Sequence, residues 1–392
     1  MTTRFTERRT RLAAIFLALI VAACAGPAAD PTLTSTPISP ATDAPATAPT
    51  DQPATDQPPS STPTSSSTPT PAPTTAGPSG PPRVGDWSEQ TVVDGPAARE
   101  DHTWTVAGDG SALLFGGRAG RREFNDLWRY DLAADSWTEL EPSGESPSPR
   151  FGHVAVWVAG VGLVIWSGQA GADFFSDVWT YDPLANEWRE LPATGAIPPA
   201  RYGSCGGLGP DGRLWISHGF TEDTGRFADT RAYDFTSGEW TDLTPDGTLP
   251  VERCLHDCLW TPDGRLVLYA GQTTGAPAIG DLWTYAVATG EWTKGPTPEP
   301  EPRQLYAITA LGGTAFVFGG GAQDGSPLDD LWLLDLSSLE WSAAQPVGSL
   351  PAARSGATLI ADPEHSRVLL FGGRGAEGEL ADLWRLELEP AG

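Results

Sequence analysis

Arg99-Glu100-Asp101-His102-Thr103-Trp104-Thr105-Val106, then Ala112-Leu113-Leu114-Phe115-Gly116-Gly117, then Asp126-Leu127-Trp128-Arg129-Tyr130-Asp131, and finally Trp137, is one copy of a pattern that recurs along a 392-residue chain. The runs are short, rich in β-branched and aromatic residues, and bounded by Gly, Pro, Asp and Asn, which predicts strands. The opening Arg returns as Arg150, Arg201, Arg253, Arg303 and Arg354, at spacings of 51, 51, 52, 50 and 51. A period of about 50 residues with four strands per unit predicts an all-β chain folded as a six-bladed β-propeller, each blade four antiparallel strands. One scaffold of this kind carries many unrelated activities, so the architecture leaves function open.

The pattern resembles the kelch repeat and the central domain of the galactose oxidase family. The resemblance rests on the double glycines (Gly116-Gly117, Gly319-Gly320, Gly372-Gly373), the third-strand segments opening at Asp126, Asp177, Asp281, Asp330 and Asp382, and the outer-strand Trp137, Trp188, Trp240, Trp292 and Trp341. It covers Asp86 to the C-terminus. Repeats three and four depart from it: Ser217-His218-Gly219 and Ala270-Gly271 replace the double glycine, and Arg231 replaces the third-strand Trp. Eleven of the 16 Trp residues fall at repeat positions, which makes them core rather than a sugar-stacking surface.

The sixth repeat has no outer strand after Asp382-Leu383-Trp384-Arg385-Leu386, while Trp87 stands 50 residues before Trp137, in register. The segment around Asp86-Trp87-Ser88-Glu89-Gln90 is therefore expected to complete the last blade and close the ring, leaving no open sheet edge. The chain divides into a leader (1–23), a tether (24–82) and the propeller (83–392). In the leader, Arg4, Arg8, Arg9 and Arg11 precede an apolar stretch, Leu12 to Ala23, too short to span a bilayer. Val21-Ala22-Ala23-Cys24 resembles a bacterial lipoprotein cleavage box, which implies lipidation at Cys24 and a lipid-anchored, extracytoplasmic place in the bacterial cell envelope. Residues 25–82 hold 37 Pro, Thr or Ser among 58 positions and no aromatic, a composition that predicts a disordered linker.

The net charge of −26 argues against nucleic acid or an anionic lipid surface as partner; membrane contact is expected through the lipid anchor alone, and a monomer is expected. Counted from each repeat's Arg, Cys205 sits at offset 4, Cys254 at offset 1 and Cys258 at offset 5. Odd and even offsets face opposite ways, so Cys205 is expected to bridge to Cys254 or Cys258 across the boundary of blades three and four, in an export route that permits disulfides.

Asp126, Asp177, Asp229, Asp281, Asp330 and Asp382 follow their repeat's Arg by 27 or 28 residues and share its end of the propeller. Six-fold recurrence predicts structural Arg–carboxylate pairs rather than a ligand site. His102, His153 and His256 share one repeat offset and are expected in the core, and no metal or cofactor is expected. The galactose oxidase resemblance would imply a copper radical oxidase. That chemistry needs tyrosines, histidines and a Tyr–Cys cross-link converging on copper. Tyr130, Tyr181, Tyr233 and Tyr285 instead occupy equivalent repeat slots, so this activity is rejected.

Function is therefore sought in the loops between second and third strands, which vary most. Arg118, Arg121 and Arg122 of blade one neighbour Arg374 of blade six as a basic cluster on an acidic protein, Phe174, Phe175 and Phe227 occupy adjacent loops, and His218 opens the blade-three loop. These residues predict a non-enzymatic recognition module that binds a protein or glycan through the loop face. The alternative is a carbohydrate-acting enzyme resembling the kelch sialic-acid mutarotases, with His218, Glu222 or Asp223 moving protons. A third reading is an envelope assembly or scaffold factor.

Overall fold

The computed structural model describes residues 83–296, 300–346 and 348–389. The leader, the Cys24 lipidation position and the tether to residue 82 lie outside them. Six blades of four antiparallel strands follow one another around an axis; Thr194–Gly195 adds in parallel to the outer edge of the third sheet, and Arg303–Gln304 and Gly321–Ala322 extend the fourth. Blade one, innermost strand first, is Thr103–Val106, Ser111–Phe115, Leu127–Asp131 and Ser136–Leu140. Blade two runs from Val154–Val158 to Glu187–Leu191, blade three from Cys205–Leu208 to Glu239–Asp242, and blade four from Asp257–Trp260 to Glu291–Lys294. Blade five runs from Ala307–Leu311 to Trp341–Ala343. In blade six, Thr358–Asp362, Arg367–Phe371 and Leu383–Glu389 are completed by the N-terminal strand Arg83–Gln90, with Trp87 opposite Leu386. This is the closure expected from the register of Trp87.

The second strand of each blade is buried on both faces because its neighbours in the ring cover it. Ala112–Phe115 and Leu163–Trp166 are each at most 3 % exposed. Such strands read as continuous apolar runs rather than alternating ones. The outer-strand tryptophans fill the space between blades: Trp137 stacks on Trp104 and Tyr130, and Trp87 meets Phe318 edge-on at 5.6 Å.

The double glycine has two separate causes. Its second member is Gly in all six blades, as Gly117, Gly168, Gly219, Gly271, Gly320 and Gly373, with φ from +91° to +116°. A Cβ on Gly117 would lie 2.8 Å from the Glu100 carbonyl oxygen and from His102, so no side chain fits. The first member needs the left-handed region, which Ser167, His218 and Ala270 adopt at φ +68°, +59° and +58°, while in the blades that keep glycine a Cβ would also crowd the next blade's Arg carbonyl oxygen, at 2.6 Å for Gly116.

A ring of backbone hydrogen bonds ties the blades at the axis. The N–H of Gly152 donates to Asp101, Gly203 to Gly152, Leu255 to Gly203, Leu305 to Leu255, Gly356 to Leu305, and Asp101 back to Gly356, at 2.7–3.0 Å. Each of these six residues stands two positions after its blade's Arg and has a positive φ.

Candidate functional site: the clamp end and the axial cavity

Each repeat Arg is 0 or 1 % exposed and fully committed. Arg99 donates from Nε to the Ala97 carbonyl, from Nη1 to the Gly116 carbonyl, and bidentately to Asp126 at 2.7 and 2.7 Å. The other five pairs, Arg150–Asp177, Arg201–Asp229, Arg253–Asp281, Arg303–Asp330 and Arg354–Asp382, repeat this arrangement. In five blades the third-strand Trp adds an indole N–H to the same carboxylate, as Trp128 does to Asp126 at 2.8 Å. Blade three keeps that bond with a different donor: Arg231 Nε reaches Asp229 Oδ2 at 2.7 Å. Burial raises the pKa of these aspartates, but the guanidinium bonds and charge outweigh it and hold all six below the ordinary value. The six pairs are structural, as recurrence predicts, and they fix the clamp end as a rigid platform.

The loop residues singled out by sequence are placed differently from one another. Arg118 is bound at 3.2 Å to both Glu100 and Asp101, and its guanidinium lies 4.2 Å over the Phe151 ring. Arg374 contacts Glu379 at 2.6 Å and Glu100 at 3.6 Å. The two arginines do converge at the seam of blades six and one, but as a network balanced by three carboxylates rather than as an unpaired basic cluster. Burial, then Asp101, pushes Glu100 up to about 7 against the pull of both arginines. Asp101 is raised too, chiefly by burial. Burial acts to lower the Arg118 pKa, and Asp101 and Glu100 reverse it. Arg121 and Arg122 are exposed, with Arg122 over the Phe124 ring at 4.7 Å.

Phe175 and Phe227 lie over the clamp guanidiniums of Arg150 and Arg201, at 4.1 and 3.7 Å, as Phe124 lies over Arg99 at 4.2 Å. They cap clamps instead of offering rings to a ligand, which corrects the reading of them as loop aromatics. Each stands two residues before its clamp Asp, a slot that Ile279, Leu328 and Leu380 fill in blades four to six. Phe174 is half-buried and joins an apolar cluster of Phe151, Tyr202, Phe220, Cys254 and Leu255.

His218 is 0 % exposed, not at a loop surface; its Nδ1 meets Ser217 Oγ at 2.7 Å, and burial pushes its pKa down to about 3. Glu222 and Asp223 are exposed, so the three do not share an environment in which protons could pass between them. The core placement of the repeat histidines holds: His102, His153 and His256 are buried, and His153 Nε2 pairs with Thr103 Oγ1 at 2.8 Å.

Inside the backbone ring lies an axial cavity of about 220 Å³, lined in part by Thr103, Ser204, His256, Asp257, Tyr306 and Thr358. Asp257 is the titratable carboxylate that sequence reasoning missed here. Burial pushes it up to about 7, against the stabilising N–H of Cys258. Tyr306 donates to the Tyr269 carbonyl at 2.6 Å and accepts the Asp257 N–H at 2.9 Å. The expected bridge across blades three and four is Cys205–Cys258; Cys254 is a buried thiol beside Gln272.

Comparison with known proteins agrees with this geometry. The leucine-zipper-like transcriptional regulator 1 of Pongo abelii is 28% identical over 269 residues, which is 64% of this chain and 31% of that protein. Kelch domain-containing protein 10 of Xenopus tropicalis is 28% identical over 277 residues, 66% of each chain. The Rab9 effector protein with kelch motifs of Xenopus laevis is 29% identical over 197 residues, 48% of this chain and 54% of that protein. The chain thus spans under a third of the first of these and about two thirds of the second. The KLHDC2/KLHL20/DRC7 Kelch-repeats domain matches residues 83–271 and 222–391, the whole propeller, and the chain belongs to that kelch-repeat family.

Proposed function

We propose that this propeller is a protein-recognition module that presents its clamp end to a partner. The observation that carries the reading is the contrast between a six-fold frame and an asymmetric mouth. The Arg–Asp clamps repeat without exception, while the loops between second and third strands differ in every blade and expose Arg121 and Arg122 in blade one, Glu222 and Asp223 in blade three, and Asp324 in blade five. Beneath those loops the positions that follow each Arg differ too, and Glu100, Phe151, Tyr202, Cys254 and Gln304 are buried there, so they shape the loops rather than touch a partner. A frame that holds different chemistry at each station suits a partner that is itself irregular. The naming of one relative as an effector with kelch motifs is consistent with such a role. The mutarotase reading has less support, because Arg118 and Arg374 are already bound to carboxylates and His218 is enclosed. We further propose that lipidated Cys24 and the Pro/Thr/Ser-rich segment hold the module outside the cytoplasm, at a bacterial envelope.

The test is face-resolved crosslinking in the producing cells. A photo-crosslinking residue replaces Arg122 at the clamp end or Leu184, 98 % exposed in the turn at the opposite end. A discrete protein adduct from position 122 and none from 184 is expected. Equal labelling from both, or none from 122, counts against the module.

A further inference from the structure

The disulfide Cys205–Cys258 joins the innermost strands of blades three and four, with Cα atoms 5.3 Å apart. His256 brings a ring nitrogen to within 4.8 Å of both sulfur atoms. The three side chains are at most 6 % exposed. Neither Nδ1 nor Nε2 of His256 makes a hydrogen bond. A buried imidazole without a hydrogen bond of good geometry is costly, and at least one of its nitrogens is left to take another partner.

Comparison with the same slot elsewhere shows what changed. At the boundary of blades one and two, His153 faces Thr103 and bonds its hydroxyl at 2.8 Å. Thr103 pairs with Phe115, just before the Gly116-Gly117 turn, and Cys205 pairs with Ser217, just before His218-Gly219. Cys205 thus stands where that hydroxyl does, and blade four adds Cys258 beside it; at the boundary of blades six and one the Thr358 hydroxyl instead bonds the His102 carbonyl and the His102 ring has no hydrogen bond. Two soft sulfur atoms and one neutral imidazole are a donor set for a tetrahedral d¹⁰ cation. His256 lines the axial cavity and the two cysteines do not, so an entering cation and a water as fourth ligand would approach from the His256 side.

We propose that reduction of the disulfide converts Cys205, Cys258 and His256 into a zinc site. A dithiol reductant transfers two electrons and two protons to the S–S bond, leaving two cysteine thiols and the reductant as its own disulfide. Zn²⁺ then displaces the two thiol protons to solvent and gains two Zn–S bonds and one Zn–N bond. A small-molecule disulfide oxidant reverses this: it takes two electrons from the two thiolates, leaves as its own dithiol with two protons from solvent, restores the S–S bond between the two blades and releases Zn²⁺.

Cobalt(II) serves as the spectroscopic probe for zinc. The full-length chain, reduced under anaerobic conditions, is titrated with Co²⁺ and then with Zn²⁺. One equivalent of Co²⁺ is expected to give thiolate-to-cobalt charge-transfer absorption with tetrahedral d–d bands, abolished by Zn²⁺, while the oxidised chain gives neither. His256→Ala is expected to weaken reduced-state binding by more than the ~10–100-fold that outer-sphere changes cost. His256→Gln carries the same comparison if the alanine variant does not fold. The proposal is overturned if the reduced chain shows no such bands or if they persist in the Cys205→Ser/Cys258→Ser double variant. It is equally overturned if the histidine variants bind as wild type does, or if reduction unfolds the sheets and zinc fails to restore them.

Discussion

Trp87→Ala probes whether the N-terminal strand is a working part of the sixth blade. Trp87 is 3 % exposed and sits in a cluster with Phe318, Leu331, Leu370 and Leu386. Truncating a buried aromatic of this size costs about 3–5 kcal/mol, the loss of transfer free energy plus the cavity left behind. Unfolding entropy is about 2.1 cal/mol/K per residue, or roughly 0.6 kcal/mol per degree for a propeller of about 300 residues, so the midpoint should fall by ~5–8 °C. Trp137 occupies the same position in blade one at 8 % exposure, and Trp137→Ala should fall by a similar amount. Removing residues 83–90 should cost more than either, because it also uncovers Leu386 and Leu388 and leaves Leu383–Glu389 as an open edge. Differential scanning calorimetry of the three variants checks this. A Trp87→Ala midpoint within ~2 °C of wild type, beside a full-sized loss in Trp137→Ala, would refute closure by the N-terminal strand as a source of stability.

Further outcomes follow from the clamps, the buried titratable groups and the disulfide. Asp382→Asn should destabilise by about 3–5 kcal/mol in urea titrations, because Arg354 stays buried without its counter-charge. Arg231→Trp should be close to neutral, since the indole donor of five other blades replaces the guanidinium Nε at Asp229, whereas Arg231→Leu should cost about 1.5–3 kcal/mol. Stability should be higher at pH 7 than at pH 5. His153 and His218, with folded pKa values near 3, and His102 and His256, also lowered, destabilise the fold as pH falls below about 6.5 and the unfolded chain takes up protons. Glu100 and Asp257, raised to about 7, and Asp101, also raised, act oppositely, since their contribution is complete at low pH and is lost as pH rises from about 4 upward. Four groups outnumber three, and the clamp aspartates add a further loss below about pH 4; greater urea resistance at pH 5 would contradict this. Cys205→Ser/Cys258→Ser should cost about 4 kcal/mol, from the entropy released by opening a loop of 53 residues, read in urea titrations as a lower midpoint with a steeper slope, since the unfolded chain becomes less compact.

The blade count, the closure and the Arg–Asp pairing were legible because each recurs at a fixed period, so that one repeat's ambiguity is resolved by the other five. The cysteine bridge was legible as parity: offsets 4 and 5 have opposite faces, and Cys258 shares that parity with Cys254, so the choice between the two needed coordinates. The roles of Phe175 and Phe227 were readable in principle. The apolar slot two residues before each clamp Asp is periodic, but its mixture of Phe, Ile and Leu conceals it from a search for identical residues. The partners of Arg118 were harder to find. Glu100 and Asp101 adjoin Arg99 in sequence, and only the bridge between Glu100 and Arg118 carries them to the loop. His218 looked like a loop residue because it replaces a glycine. A left-handed backbone at φ +59° keeps the chain on its path and leaves the imidazole enclosed.

The six-membered ring of peptide hydrogen bonds has a bearing on where the gene for such a fold can begin. Every donor in it points to the blade before, and the first blade points to the last, so the bonding pattern contains no terminal link. The position of the chain ends is then a matter of which loop is cut. A rearranged chain, with old ends joined and new ones placed in an exposed turn such as that at Leu184, would meet the same cycle of contacts in a different order of synthesis.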